Sequence, residues 1–326
     1  MKKILNILLK TGLPLLLGAV ILYWIYGNFD FALISEALHT MDMWWFWVSC
    51  IFGVLSHAIR GWRWRLALAP LGYKPANDSC VYSIFIAYAA NLVVPRVGEV
   101  SRCVVLERYD KVPFAQSLGT LVSERLVDTV MVVVITLAAV LSQWSVFVAF
   151  VQEAGGVSEG GAFSSLGRMV ILLISAVAVG MVLYFLLRRL SLWKRIRSFV
   201  SRFWEGFMSL TKMKSFWLFV IETVGIWFCY FMQFYLCFFC FDFSSTLSVA
   251  AALLLFVAGS IAVVVPTPNG AGPWHFAVMS IMMLYGISST DAGVFALIVH
   301  SLQTLLVAVL GIVGIVMLQF KNKLNY

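Results

Sequence analysis

The sequence predicts an all-α polytopic integral membrane protein. About six full spans and two oppositely oriented re-entrant helical hairpins form an inverted-repeat, transporter-like fold. Three observations carry this expectation. Of 326 residues, 62% are hydrophobic and 12% charged, where soluble chains average about 45–50% and about 25%. All Lys and Arg except Arg125 and Arg168 lie in five short places. Two long apolar regions are each broken in the middle by Pro and Gly. With a mean hydropathy of +0.96, a soluble fold would lack the polar side chains to cover its surface, and disorder, a disulfide scaffold and a nucleic-acid-binding domain fit poorly. The net charge of +8 then marks the cytoplasmic face of a membrane protein.

Apolar stretches long enough to cross a bilayer occur at 11–27, 43–59, 114–141, 166–187, 215–240 and 292–318. The first follows Lys2, Lys3 and Lys10 but is long for a signal h-region and lacks a small-x-small cleavage site, so it is expected to be a retained span. The basic places are the N-terminal tail, 60–74, 96–111, 188–214 and the C-terminal tail. The loops between them carry Asp30, Glu36, Asp42, Glu153, Glu159, Asp242 and Asp291 instead. The positive-inside rule therefore puts both termini and the basic places in the cytoplasm.

That sidedness constrains the two broken regions. Region 79–108 has basic residues on both flanks, so it enters from the inside, turns at Asn91–Gly98 and returns. Region 246–285 lies between Asp242 and Asp291, so it enters from the outside and turns at Pro266–Pro273. If each arm crossed fully instead, Arg96, Arg102, Arg108 and Lys111 would lie outside. The threading divides the chain into an N-terminal span and outer loop (1–42), a first repeat (43–141), a connecting span with a basic amphipathic helix (142–214), an inverted second repeat (215–320) and a cytoplasmic tail (321–326). Opposed repeats with discontinuous helices are a transporter signature. Irregular backbone at membrane depth is tolerated only when buried or lining a cavity, which makes the two turns candidate walls of a substrate site.

Charges inside spans are costly and mark candidate function. Counting from Pro113, Glu124 lies roughly 16 Å along its helix at about 1.5 Å per residue. Glu124 and Asp128 share a face, and Arg125 is three residues from Asp128 and can pair with it. Together with Arg96, Glu99 and Arg102 of the first hairpin they could form a charge-balanced nest. Its role is either to staple hairpin to helix, or to hold Arg96 or Arg102 toward a phosphate, which suits the planar guanidinium fork. In the second turn, Asn269, Gly270 and Gly272 are expected to leave backbone amides open to approach. His275 begins the returning helix, as a titratable donor or a satisfied turn residue. Glu222, His300 and Gln303 are weaker signals. Arg60-Gly61-Trp62-Arg63-Trp64-Arg65 is expected to anchor at the headgroup level. The basic 188–214 stretch is expected to lie on the anionic inner leaflet. The six cysteines, Cys237-x-x-Cys240 included, are expected to pack as small hydrophobes. No P-loop, His-rich metal pattern or G-x-S-x-G elbow occurs, so neither an enzyme nor a cofactor is expected.

The string Asn91-x-x-x-Pro95-Arg96-x-Gly98-Glu99-x-x-Arg102 is followed by Glu124-Arg125-x-x-Asp128 and then by Pro266-x-Pro268-x-Gly270-x-Gly272. From about residue 43 onward the chain thereby resembles the flippase-like membrane domain of lysylphosphatidylglycerol synthases, as a stand-alone member without the aminoacyl-transferase domain. The resemblance implies lipid translocation across the cytoplasmic membrane, with anionic or aminoacylated phospholipid as cargo and no synthase activity. His275 departs from the family pattern, which often has Glu at this place. The expected partners are membrane lipids with anionic headgroups, and nucleic acid is not among them. The alternatives are an accessory subunit docking a glycosyltransferase or another lipid-modifying enzyme through 188–214, and a membrane-embedded hydrolase or transferase using the buried carboxylates.

Overall fold

The computed structural model describes residues 15–27, 29–30, 32–94, 96–144, 213–265 and 267–324. The expected span at 166–187, nearly all of the basic segment 188–214, Pro95 and Pro266 lie outside the described residues. Among the described residues the regular structure is entirely helical: α1 (Leu15–Tyr26), α2 (Ala32–Thr40), α3 (Met43–Leu68), α4 (Asn77–Val93), α5 (Val97–Asp110), α6 (Phe114–Ser142), α7 (Phe216–Leu236), α8 (Val249–Ala262), α9 (Pro273–Leu284) and α10 (Ser289–Leu324). Short 3₁₀ turns follow α3 and α7 and precede α9.

Local sequence accounts for the breaks. The Asp42 carboxylate caps α3 by accepting from the Trp44 N–H at 2.9 Å. Ser248 caps α8 in the same way, through the Ala251 N–H at 3.2 Å. Helix α4 stops at Val93 because Pro95 disfavours helical backbone at Val94, which is extended (φ −132°, ψ 115°). Arg96 then takes a left-handed conformation (φ 65°) before α5 starts. The α4–α5 crossing is close: a Cβ at Gly98 would overlap the Ala87 carbonyl oxygen. The Gly98 N–H donates to Asn91 Oδ1 at 2.8 Å.

Among the described residues, three segments are long and apolar enough to span a bilayer: Phe114–Ser142, Phe216–Cys240 and Ser289–Lys321. A fourth is reached if α2 and the α3 segment, bent by 88°, count as one. Large apolar side chains stand exposed along α6 (Val130, Val133, Val134, Leu137, Leu141), α7 (Trp217, Ile221, Val224, Phe228) and α10 (Leu305, Ile312, Ile315, Val316). Apolar exposure on this scale on several helices marks a lipid-facing surface. This is a membrane protein.

Helices α3, α6 and α7 tie together two separate hydrophobic cores. One gathers Trp64, Leu68, Ile84, Cys103, Leu106, Leu121 and Phe219 around the α4–α5 pair. The other gathers Phe46, Phe234, Phe238, Leu255, Met282 and Phe295 around the α8–α9 pair, with Ala139 of α6. At the first end, Asp110 Oδ1 accepts from the Ala76 N–H at 3.0 Å, and Lys321 Nζ meets Asp78 Oδ1 at 2.8 Å. At the other, the Asp42 N–H donates to the Cys240 carbonyl at 2.9 Å, and the Tyr285 hydroxyl donates to Gln143 Oε1 at 3.1 Å. The tips of the two pairs meet between the cores, where Arg96 Nη2 donates to the Val264 carbonyl at 3.4 Å.

The 60–65 stretch, expected to anchor at the headgroup level, is folded in part into the interior. It is not a simple interfacial anchor, because α3 continues through it and turns part of it inward. Arg60 and Arg63 are 2% and 0% exposed. Trp64 is fully buried, its indole N–H donating to Thr120 Oγ1 at 3.0 Å. Trp62 stays exposed. These guanidiniums can leave the headgroup region because carboxylates of α6 wait for them inside.

Candidate functional site

Arg60 and Arg63 stand three residues apart on α3, so both side chains leave on one face. Glu124 and Asp128 stand four apart on α6 and face them. Asp128 Oδ2 takes Arg60 Nη1 at 2.8 Å, and Oδ1 takes Arg63 Nη1 at 2.8 Å. Glu124, fully buried, takes Arg102 Nη2 at 2.8 Å and lies 3.5 Å from Arg63 Nε. Half-exposed Arg125 closes the network from the other side, 3.2 Å from Glu99 and 3.6 Å from Asp128. The ion-paired set thus holds four guanidiniums (Arg60, Arg63, Arg102, Arg125) and three carboxylates (Glu99, Glu124, Asp128), leaving one positive charge over. Burial of charge on this scale is tolerable only because nearly every member is paired. The exceptions are telling: Arg102 Nη1 and Arg63 Nη2 are buried with no hydrogen-bond partner.

Beside this network lies an open cavity of about 460 Å³, bordered by α3, α4, α6, α7, α8, α9 and α10. Arg60, Arg125 and Asp128 supply its charged wall, and Tyr88, Trp227, Tyr230, Phe234, Phe256 and Trp274 its aromatic walls. Gln233, Ser260 and Gln303 add uncharged polar groups. The Tyr88 and Tyr230 hydroxyls are 2.7 Å apart, and Arg60 Nε donates to Tyr230 at 3.2 Å, which fixes both rings against the ion pairs. A side chamber of about 70 Å³ is lined by Asn91, Glu99 and Arg102 and shares Arg60, Tyr88 and Arg125 with the cavity. On α6, Thr129 and Val132 line the cavity and Thr136 and Val140, one and two turns on, line a second hollow. That hollow is an apolar groove of about 290 Å³ between α6, α8 and α9.

The second turn is fastened rather than open. Asn269, left-handed at φ 51°, donates from Nδ2 to Thr304 Oγ1 at 2.8 Å, and its carbonyl lies 3.0 Å from His300 Nε2. The Gly270 N–H already donates to the Thr267 carbonyl at 3.2 Å. The Gly272 N–H donates to His275 Nδ1 at 3.3 Å. His275, 2% exposed, thus caps its own helix, and its neighbour Trp274 is the one that reaches the cavity. Pro268 opens the 3₁₀ turn Pro268–Gly270.

Of the residues singled out by sequence, Arg125 and Asp128 line the cavity, Asn91, Glu99 and Arg102 the side chamber, and Glu124 braces both from behind. Arg96 bridges the turns from an exposed position, and Gly98 serves the α4–α5 contact. Sequence reasoning missed Arg60, Arg63, Tyr88, Trp227, Tyr230, Gln233 and Trp274. The signal available for the arginines was their three-residue spacing, matching the four-residue spacing of Glu124 and Asp128.

A buried guanidinium–carboxylate network beside a cavity and an apolar groove, set among helices with exposed apolar faces, marks the site of a helical membrane protein. The lysylphosphatidylglycerol synthase TM region matches residues 12–311, and the chain belongs to that family. A segment of 105 residues, 32% of the chain, is 30% identical to the glycosyltransferase AglD of Haloferax volcanii, where it covers 15% of that protein's length. No solved structure matches the chain.

Proposed function

We propose that this protein translocates a phosphate-bearing lipid, of phospholipid or polyprenyl-phosphate type, across the cytoplasmic membrane as a flippase or scramblase. The observation that carries the reading is the cavity walled by Arg60, Arg125 and Asp128, with an apolar groove next to it along α6. A headgroup fits the first and an acyl or prenyl chain the second, which is how an amphipathic cargo divides its solvation. In this reading the α4–α5 and α8–α9 pairs are re-entrant hairpins entering from opposite faces. The segments 43–141 and 215–320 are inverted repeats, and both termini are cytoplasmic. The contact between the two tips, Arg96 to Val264, supports it, since opposed hairpins that part on one side or the other would give alternating access.

The test is reconstitution in liposomes with headgroup-labelled lipids. The wild-type protein should move label across the bilayer, and Arg96→Ala, which removes an exposed side chain, should slow this with little change in melting temperature. Rates equal to protein-free liposomes for several anionic lipids and polyprenyl phosphates would overturn the reading. The likeness to part of a glycosyltransferase favours a second reading, an accessory subunit for a lipid-modifying enzyme. That reading requires co-purification with the enzyme and sensitivity to neutralising Arg195 and Arg197 rather than Arg96.

A further inference from the structure

Resting on that reading, we propose that the cavity takes a ring-shaped, uncharged polyhydroxyl headgroup joined to its lipid through phosphate, a sugar or cyclic polyol phosphate. It does not take an aminoacyl or other cationic headgroup.

The charge pattern makes the first cut. Asp128 is the one carboxylate among the cavity's described lining residues, and both its oxygens are taken. Oδ1 accepts from Arg63 at 2.8 Å and Oδ2 from Arg60 at 2.8 Å, with Arg125 Nη1 3.6 Å away. An entering ammonium would find no free carboxylate and would face two guanidiniums, Arg60 and Arg125. Aromatic walls attract cations as well as sugars, and these two fixed charges decide between them.

The aromatic walls make the second cut. Trp227 and Trp274 line the cavity together with the amides of Gln233 and Gln303. The Trp227 indole N–H is buried with no partner. A primary amide offers both donors and an acceptor, and an indole offers a broad apolar face with one donor at its edge. A pyranose or cyclitol ring is complementary to this set: its C–H face packs on the rings and its hydroxyl rim meets the amides. The volume of about 460 Å³ lies within the range of about 300–1,000 Å³ usual for small-molecule sites.

The phosphate has its own place. Arg60, Tyr88 and Arg125 border both the cavity and the side chamber, and Arg102, 2% exposed, lines the chamber with Nη1 unpartnered. The ion-paired set around the chamber, Arg60, Arg63, Arg102 and Arg125 against Glu99, Glu124 and Asp128, carries an excess of one positive charge. One phosphodiester neutralises it and supplies the missing acceptor for Arg102.

The experiment is lipid binding by native mass spectrometry of the detergent-solubilised full chain. The probes are phosphatidylinositol, a short-chain polyprenyl-phosphate hexose, phosphatidylglycerol, phosphatidylethanolamine and lysylphosphatidylglycerol. The two ring phosphates should bind at least about tenfold more tightly than phosphatidylethanolamine or lysylphosphatidylglycerol, equivalent to about 1.4 kcal/mol, and more tightly than phosphatidylglycerol. Which of the two binds better identifies diacylglycerol or polyprenol as the anchor. Gln303→Glu should weaken ring-phosphate binding and narrow the gap to the cationic lipid. Lysylphosphatidylglycerol binding as tightly as the ring phosphates, or phosphatidylglycerol outranking both, would overturn the inference. If Gln303→Glu fails to fold, the wild-type ranking alone decides. Preferred binding of ring phosphates without transbilayer movement overturns translocation and leaves the headgroup assignment standing, while movement of lysylphosphatidylglycerol alone does the reverse.

Discussion

Glu124→Gln isolates the buried charge network from the cavity. Glu124 does not line the cavity; its carboxylate is fully buried and accepts from Arg102 at 2.8 Å, with Arg63 3.5 Å away. Glutamine keeps the shape and one acceptor oxygen but removes the charge facing two guanidiniums that are 2% and 0% exposed. Breaking one side of a buried ion pair costs about 3–5 kcal/mol, because the remaining charge is left in low dielectric. The retained acceptor places this change near the lower end, about 3 kcal/mol. At the roughly 2–4 °C per kcal/mol of chains of about 150–250 residues, somewhat less for this longer one, the midpoint of thermal unfolding should fall by up to about 6–12 °C. The assay is a melt followed by intrinsic fluorescence in detergent. A double-mutant cycle with Arg102→Gln should show the pair costing less together than the two single changes summed, by about 1 kcal/mol or more. A Glu124→Gln protein melting within about 1 °C of wild type, or a strictly additive cycle, would refute the reasoning.

Gly98→Ala should lower stability by about 1–3 kcal/mol, seen in the same melt, because the new methyl meets the backbone carbonyl of Ala87 rather than a yielding side chain. Asn269→Ala should cost about 2 kcal/mol, losing the donor to Thr304 at a left-handed position. Asn269→Gly, which keeps the backbone freedom, should cost less. The proposed topology is checked by cysteine labelling with an impermeant maleimide: Asp242→Cys should react in intact cells, and Lys74→Cys only after the membrane is opened. The reverse pattern would invert the sidedness.

Much of the fold was legible in the chain. The break expected at Asn91–Gly98 contains the end of α4, and the one expected at Pro266–Pro273 lies between α8, which ends at Ala262, and α9, which begins at Pro273, because proline and left-handed positions act on neighbouring backbone whatever surrounds them. The apolar stretches 114–141, 215–240 and 292–318 coincide with α6, the α7 segment and α10 for the same local reason. The charged cluster at Glu124, Arg125 and Asp128 was visible too, since charge within an apolar run stands out. Less visible was which cations answer it. The Arg60 and Arg63 side chains follow a span, a pattern shared by every interfacial anchor, and only the packing of α3 against α6 and α7 turns them inward. Similarly, the amides of Gly270 and Gly272 look free in a glycine-rich string, yet the turn satisfies both internally.

By itself, the sequence determined that this is a helical membrane protein, where its helices break and which residues carry scarce charge. These properties follow from local chemistry: transfer of side chains into hydrocarbon, and steric limits on single residues. Only the tertiary structure decided that Arg60 and Arg63 meet Asp128 and Glu124, that Tyr88, Trp227 and Trp274 wall one cavity, and that this cavity adjoins an apolar groove. Those pairings join residues far apart in the chain. Desolvation makes each burial unfavourable until its partner arrives, so they exist only once the helices have packed.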